Sequence, residues 1–212
     1  MKIFREIAKN TGKLLPHHLV SSWLIDYQRP NDKIAYLKSK GYLKSVKKGL
    51  YYAGPELTEK KPEPFLVANH IMGPSYVSTE SALSYYGLIP EKVHEITSMT
   101  TKPSRTFETS LGRFSYRYLP LPYYSFGLRM LQLSTNQFAI LASAEKAICD
   151  KIVTTTGITF RSTQNAYDFL IGNMRIDEDS LKTLDLESIK LWLPDAPKAK
   201  SLSMTIRMIE KL

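Results

Sequence analysis

The chain has 212 residues, of which 43% are hydrophobic and 11% aromatic, and its formal net charge is +9. This composition excludes a disordered chain and supplies enough apolar material for two small domains, which we predict here, or one large one. The single cysteine, Cys149, excludes an internal disulfide framework and a cysteine-rich zinc site. Because we find neither a signal peptide nor a run of about 20 apolar residues, we predict a soluble, cytoplasmic protein with no membrane partner.

The positive charge is concentrated near the N-terminus. Residues 1–60 contain 12 Lys and Arg against 5 Asp and Glu, whereas residues 61–212 contain 17 against 15. A basic module joined to a nearly neutral second domain is typical of DNA-binding proteins. The proline-rich and charged composition of residues 56–64 predicts a linker between a domain at 1–55 and a domain at 65–212.

The N-terminal domain is predicted to contain three helices followed by a hairpin. After helices at 2–10 and from Pro16, a third helix should start at about Pro30, a residue suited to a first helical turn. Ile34 and Leu37 would form its narrow buried face, and Gly41 would end it. The β-prone segments 42–44 and 50–53 then flank a glycine-containing turn. This order of elements predicts a winged helix-turn-helix.

The third helix and the hairpin are also rich in lysine. Between Asp32 and Glu56 the sequence has six lysines and no acidic residue, so both elements should present positive charge to double-stranded DNA. In a winged helix-turn-helix the helix enters the major groove and the wing contacts the backbone. The alternative is a solvated lysine-rich face without a partner. The candidate DNA-binding residues are Arg29, Asn31, Lys33, Tyr36, Lys40, Lys44, Lys47 and Lys48.

The rest of the chain alternates between short strands and helices. Strands are predicted at 95–100, 112–118 and 138–141, whereas residues 65–68 fit either a helix or a strand. Helices are predicted after Ser78 or Thr79, after Ser143, and through most of the chain from Thr163. The predicted fold class is therefore α+β, with a winged N-terminus, a mixed α/β domain with a small sheet, and C-terminal helices.

Several segments resemble the AbiEi-type antitoxins, also described as predicted transcriptional regulators of viral defence systems. These segments are KGLYY at 48–52, YVSTESAL at 76–83 with GLIP at 87–90, and ASAEKAICD at 142–150. The resemblance implies an N-terminal winged helix-turn-helix and a C-terminal α/β antitoxin domain. It also implies that the protein represses its own promoter and counteracts a separately encoded nucleotidyltransferase-type toxin without forming a stable complex with it. A homo-oligomer on DNA is compatible with this function.

A metal-dependent nuclease is the alternative of a different class. The sequence lacks the common metalloprotease, phosphate-loop and nucleophile-elbow motifs, and Glu80, Glu145 and Asp150 are the best candidates for an acidic metal site. On one helix, however, Asp150 lies about 140° from Glu145. We therefore expect Glu145 to stabilise a helix N-terminus, Asp150 to pair with a Lys or Arg, and Cys149 to occupy the core. We predict no catalytic residue, metal or cofactor.

Overall fold

The computed structural model describes residues 2–212 and shows an α+β protein. Three N-terminal helices and a small sheet precede a six-stranded mixed sheet, which is followed by further helices. The helices are α1 (Lys2–Lys9), α2 (His17–Ser22), α3 (Pro30–Ser39), α4 (Pro64–Ile71), α5 (Thr79–Tyr85), α6 (Ala144–Thr154), α7 (Thr163–Tyr167), α8 (Glu178–Lys182), α9 (Leu186–Trp192) and α10 (Ala199–Ile209). The strands are β1 (Leu15–Pro16), β2 (Leu43–Lys47), β3 (Leu50–Ala53), β4 (Ser75–Val77), β5 (Glu95–Thr100), β6 (Arg105–Thr109), β7 (Gly112–Tyr118), β8 (Leu128–Ser134) and β9 (Gln137–Ala142).

The predicted order of three helices and a hairpin is confirmed. Helix α3 begins at Pro30, buries Ile34 and Leu37, and is followed by Gly41 at a φ of +74°. Such a positive φ favours glycine, which explains why the helix ends there. Strands β2 and β3 are antiparallel and are joined by a tight turn that contains Gly49, also at positive φ. The short strand β1 was not predicted and pairs with β3, so the small sheet has the order β1-β3-β2.

The larger sheet has the strand order β6-β7-β5-β4-β9-β8. Strand pairs β5/β7 and β4/β9 are parallel, and the other neighbours are antiparallel. The predicted strands correspond to β5, β7 and β9, whereas the ambiguous residues 65–68 belong to helix α4. Helix α4 packs with the apolar side chains of one sheet face, while α5, α6 and the later helices share a core with the opposite face. Helices therefore pack against both faces of the sheet, although Met130, Phe138 and Ile140 on strands β8 and β9 are exposed.

The hairpin and the larger sheet share one apolar cluster. Val46, Leu50 and Tyr52 of the hairpin lie in the same buried cluster as Val67 and Ile71 of α4. Burying an aliphatic or aromatic side chain contributes about 1.5–3 kcal/mol, so this contact is a substantial one. The structure thus packs part of the predicted N-terminal domain directly onto the predicted C-terminal one. The division into domains at 1–55 and 65–212 stays a prediction.

Of the predicted linker at 56–64, residues 56–63 form neither helix nor strand, whereas Pro64 begins α4. Within residues 2–212, no helix combines the length and the apolar character that crossing a lipid bilayer requires.

Candidate nucleic-acid interface

Helix α3 carries three of the eight predicted DNA-binding residues, Asn31, Lys33 and Tyr36, and is flanked by two more, Arg29 and Lys40. Its buried face is formed by Ile34 and Leu37, which fixes the helix against the N-terminal core. Tyr36 lies next to Leu37 in the sequence and therefore points away from the buried face. Asn31 in the first turn and Lys40 just after the last turn are exposed because they lie at the two ends of the helix.

Lys33 is held between two aromatic rings. Its Nζ lies 4.6 Å from the ring centroid of Tyr36 and 5.6 Å from that of Tyr27. An ammonium group over a tyrosine ring is attracted by the ring's negative face, so the two tyrosines orient the lysine. Tyr36 is itself 45% exposed and Tyr27 is 42% exposed. Tyr27 was missing from the predicted site because it lies before the helix, where sequence spacing gives no indication of the contact.

Arg29 lies immediately before the first helical turn. One guanidinium nitrogen is 3.9 Å from a carboxylate oxygen of Asp32, and both side chains are more than two-thirds exposed. Exposed pairs of this kind contribute about 0–1 kcal/mol, so the contact restrains Arg29 only weakly. The guanidinium group is therefore available to another anion.

The hairpin contributes Lys44 on β2 and Lys48 in the turn. Both side chains are exposed, and neither ammonium group forms a salt bridge with any residue in the described part of the chain. The turn is tied to α2, since the backbone N–H of His17 donates to the Gly49 carbonyl at 2.8 Å. Because this bond fixes the hairpin tip relative to the helices, Lys48 is displayed from a defined position.

Lys47 differs from the other hairpin lysines. Its ammonium group donates to the Ile71 carbonyl at the end of α4. Partial burial, together with repulsion from Lys102, lowers the pKa of Lys47. The sequence predicts that Lys47 is a phosphate ligand; the residue is exposed as that requires, but its ammonium group also has a partner inside the protein. This partner lies 24 residues away in the chain and so has no local sequence signal.

The three carboxylates considered for a metal site contact separate groups. Asp150 is fully buried, whereas Glu80 pairs with Lys151 and Glu145 accepts a hydrogen bond from the backbone N–H of Asp185 at 3.2 Å. Within residues 2–212, no three His, Cys, Asp or Glu side chains are grouped as a metal site would require. Each of the three carboxylates therefore forms an ion pair or a hydrogen bond within the protein.

Asp150 belongs to a buried polar network. One carboxylate oxygen accepts hydrogen bonds from the Tyr76 hydroxyl at 2.9 Å and the Ser78 hydroxyl at 2.7 Å. The other lies 3.0 Å from Lys146 Nζ, and both charged side chains are 0% exposed. The predicted pairing of Asp150 with a Lys or Arg is confirmed. Ser78 precedes α5 as predicted, but its hydroxyl serves Asp150 rather than the helix backbone.

Two further contacts, both with Tyr123, stabilise the positive charge of Lys146. Its ammonium group donates to the Tyr123 carbonyl at 2.8 Å and lies 3.1 Å from the centroid of the Tyr123 ring. Burial lowers the pKa of Lys146, although the neighbouring Asp150 acts in the opposite direction. Cys149 beside it is also buried, and burial raises the pKa of its thiol, so the predicted core position of Cys149 is confirmed. A thiol with a raised pKa is a poor nucleophile.

Comparison with known proteins finds a solved structure with a similar fold. No family model and no curated protein matches this sequence. The chain is similar to the crystal structure of the RV2827C protein from Mycobacterium tuberculosis, with a TM-score of 0.57 and 13% sequence identity. The similarity covers 99% of this chain and 80% of that chain. At this level of identity the likeness shows that the two chains share an α+β fold.

Proposed function

We propose that the protein is a DNA-binding transcriptional repressor in which α3 and the hairpin form a winged helix-turn-helix. The observation that carries the proposal is a set of exposed cations on one helix and on the adjoining hairpin. Lys40, Lys44 and Lys48 are exposed and form no salt bridge within residues 2–212. Unneutralised cations at the end of a helix and on a neighbouring hairpin are groups with which a winged helix-turn-helix would contact DNA phosphates. The proposed setting is the cytoplasm, where the promoter DNA is located.

The proposed docking places α3 in the major groove and the hairpin against the backbone. Asn31, Lys33 and Tyr36 on the helix, with Arg29 before it, would contact base edges or the groove walls. A good base contact provides about 1–3 kcal/mol of discrimination. The ammonium groups of Lys40, Lys44 and Lys48 would contact phosphates, which contribute affinity for any sequence. Lys47 is omitted because the bond to the Ile71 carbonyl directs its ammonium group toward the end of α4.

The resemblance to the AbiEi-type antitoxins extends the proposal to the C-terminal region. Two of the segments that carry this resemblance, 76–83 and 142–150, lie together in the structure because Tyr76 and Ser78 donate to Asp150. This contact supports treating the segments as one unit. We propose that this region counteracts a nucleotidyltransferase-type toxin encoded separately, without a stable complex, while the N-terminal region represses the shared promoter. Two protein copies on a symmetric operator are compatible with this repression.

DNA binding can be tested with the intact protein and a fluorescent duplex from its own upstream region. We expect binding in EDTA, measured by anisotropy, and a decline in log affinity as log salt rises. The double variant Lys44→Ala/Lys48→Ala should reduce the magnitude of that salt slope by roughly one unit per lost phosphate contact. Lys200→Ala removes an exposed lysine far along the chain and serves as the matched control. An unchanged slope in the double variant would contradict the docking.

The same duplex distinguishes repression from nuclease activity. With magnesium, the proposal expects the DNA to stay intact under conditions where it is fully bound. Cleavage that disappears in Glu80→Ala and Glu145→Ala would instead favour the metal-dependent nuclease. Both residues are partly exposed, so these substitutions should leave the fold intact. The toxin part is tested in cells that carry the neighbouring gene: growth rescue should survive the Lys44→Ala/Lys48→Ala change, because only repression requires these lysines.

A further inference from the structure

Two adjoining clefts on the second region of the molecule share a pair of cations. Arg117 on β7 and Lys151 on α6 line both clefts, which have volumes of about 720 Å³ and 540 Å³. Neither residue was part of the predicted DNA-binding site. The two cations therefore lie where the two clefts adjoin, and the two clefts together are called the groove.

The larger cleft is lined by positive and neutral groups. Its only charged lining residues are Arg117 and Lys151, and the rest include the hydroxyls of Ser104 and Thr156. The Ser104 hydroxyl oxygen accepts a hydrogen bond from the Tyr118 backbone at 3.0 Å, so its proton remains free to be donated. A cleft with cations, hydroxyl donors and no acidic lining residue favours an anionic ligand.

Arg117 is not neutralised by a carboxylate. Its guanidinium group donates one hydrogen bond, to the Thr154 carbonyl at 3.3 Å, and forms no salt bridge within residues 2–212. Stabilising the C-terminal carbonyls of α6 is an ordinary structural task for a cation, and Lys198 performs it as well by donating to Ile152 and Thr155. This task occupies one N–H of Arg117. Since a guanidinium group has several, the others can bind an oxyanion in a fork geometry.

Lys151 is held in position by Glu80. Burial raises the pKa of Glu80, but hydrogen bonding to Lys151 and the charge of that lysine outweigh it, so the net pKa is lowered. The remaining acids of the smaller cleft are also in ion pairs, with Glu91 bound to Arg175 and Glu95 lying 3.3 Å from Arg113. The carboxylates of the groove are thus each matched by a cation. Repulsion between them and an incoming anion is correspondingly reduced.

The smaller cleft offers room for the organic part of such a ligand. Ile89, Val93, Phe169 and Met174 provide an apolar lining, and Asn173 adds a neutral polar group. A pocket of roughly 300–1,000 Å³ that combines apolar side chains with polar groups is typical of small-molecule sites. The groove therefore joins a cationic part to a mixed part of suitable size, in which apolar side chains lie beside paired carboxylates.

We propose that this groove binds a phosphomonoester, with the phosphate between Arg117 and Lys151 and the organic part in the smaller cleft. A nucleotide and the phosphorylated end of a nucleic-acid strand both carry this group. The site is separate from α3 and the hairpin, and the proposal does not depend on DNA binding there.

The test is isothermal titration of the intact protein with AMP, with inorganic phosphate and with a short 5′-phosphorylated single strand. We expect binding of AMP or of the phosphorylated strand, and at least about tenfold weaker binding by Arg117→Gln, because a charge-assisted fork is lost. Arg117→Lys should recover part of the affinity, since it keeps the charge without the fork. Adenosine and an unphosphorylated strand of the same sequence should bind more weakly than their phosphorylated forms.

Arg161→Gln is the matched control, because Arg161 is exposed and lies outside both clefts. It should bind like the unmodified protein. Binding of AMP alone would identify a small molecule as the source of the phosphate, and binding of the strand alone would identify a nucleic-acid end. The proposal is overturned if no phosphorylated probe binds at millimolar concentration, or if Arg117→Gln keeps full affinity while its melting temperature is unchanged.

Discussion

Lysines occur in two opposite environments in this protein. On α3 and the hairpin, Lys40 and Lys48 are exposed and have no carboxylate partner within residues 2–212, whereas Lys146 on α6 is fully buried against Asp150. The exposed lysines have little effect on folding and are free to bind an external anion. The buried lysine has lost its water and depends on protein groups. The comparison shows that a lysine's role follows from its tertiary surroundings and not from local charge density.

The largest expected effect comes from removing the partner of the buried lysine. In Asp150→Ala, the Lys146 ammonium would remain buried without its counter-ion, and the Tyr76 hydroxyl would lose its acceptor. Breaking a buried ion pair in this way costs about 3–5 kcal/mol of unfolding free energy. Denaturant unfolding of the intact chain measures the loss.

The matched control replaces both charged residues. Lys146→Met with Asp150→Leu leaves no uncompensated charge, so it should be much less destabilising than Asp150→Ala alone. If Asp150→Ala cost less than about 1 kcal/mol, well below the range for a broken buried pair, the ion pair would not be holding the fold as described.

The next largest effect concerns Gly54, which follows β3 and lies against the backbone of Gly41 after α3. A Cβ atom at Gly54 would lie 2.0 Å from the Gly41 carbonyl oxygen, which is backbone and cannot move aside easily. Gly54→Ala should therefore destabilise the protein by about 1–3 kcal/mol, as other overpacked substitutions do. Thermal unfolding followed by circular dichroism measures this. In Gly172→Ala, the control, the new Cβ meets no atom within 4 Å, so its melting temperature should be nearly unchanged.

A smaller effect should separate two neighbouring lysines of the hairpin. Lys48→Ala should reduce the magnitude of the salt slope of DNA binding by roughly one unit, whereas Lys47→Ala should leave it unchanged. Instead, Lys47→Ala should lower the melting temperature slightly, because the bond to the Ile71 carbonyl is lost. Anisotropy titrations at several salt concentrations, together with thermal melts, measure both quantities. Equal salt slopes for the two variants would contradict the prediction that Lys48 contacts a phosphate and Lys47 does not.

The smallest effect is expected from the partly exposed pair of Glu80 and Lys151, whose side chains are 33% and 17% exposed. Glu80→Gln should cost about 0–1 kcal/mol at neutral pH. Because folding lowers the pKa of Glu80, the pair stabilises the protein above the unfolded value of about 4.3. This stabilisation is lost as the pH falls through the lower pKa of the folded state. Unfolding measured at pH 7 and pH 3 should therefore differ less in Glu80→Gln than in the original chain.

Local signals were sufficient to predict the helix that carries the candidate interface. Pro30 suits a first turn, Ile34 and Leu37 form a face, and Gly41 permits the terminating conformation. Each of these effects acts within a few residues, so it can be read directly along the chain. The cap of α6 was predictable for the same reason, because the Ser143 hydroxyl accepts from the Lys146 backbone within one turn.

Long-range contacts account for what was not predicted. Strands β6 and β8 are defined by pairing with β7 and β9, and their sequences alone do not alternate clearly enough to identify them. The burial of Asp150 depends on Tyr76 and Ser78, which lie more than 70 residues away. The Lys47 contact and the placement of Arg117 and Lys151 along the same two clefts likewise arise only when separate elements pack.

Because the hairpin and α4 share an apolar cluster, the stability of the N-terminal region should be coupled to that of the larger sheet. A chain nicked between residues 58 and 63 should stay associated, because separating the fragments would expose Leu50, Tyr52 and Val67 to water. Any ligand that binds the hairpin in its folded form should then raise the temperature at which the distant sheet melts. Hydrogen exchange in β9, which shares the cluster through Leu141, would slow when DNA is added, although no nucleic acid touches that strand.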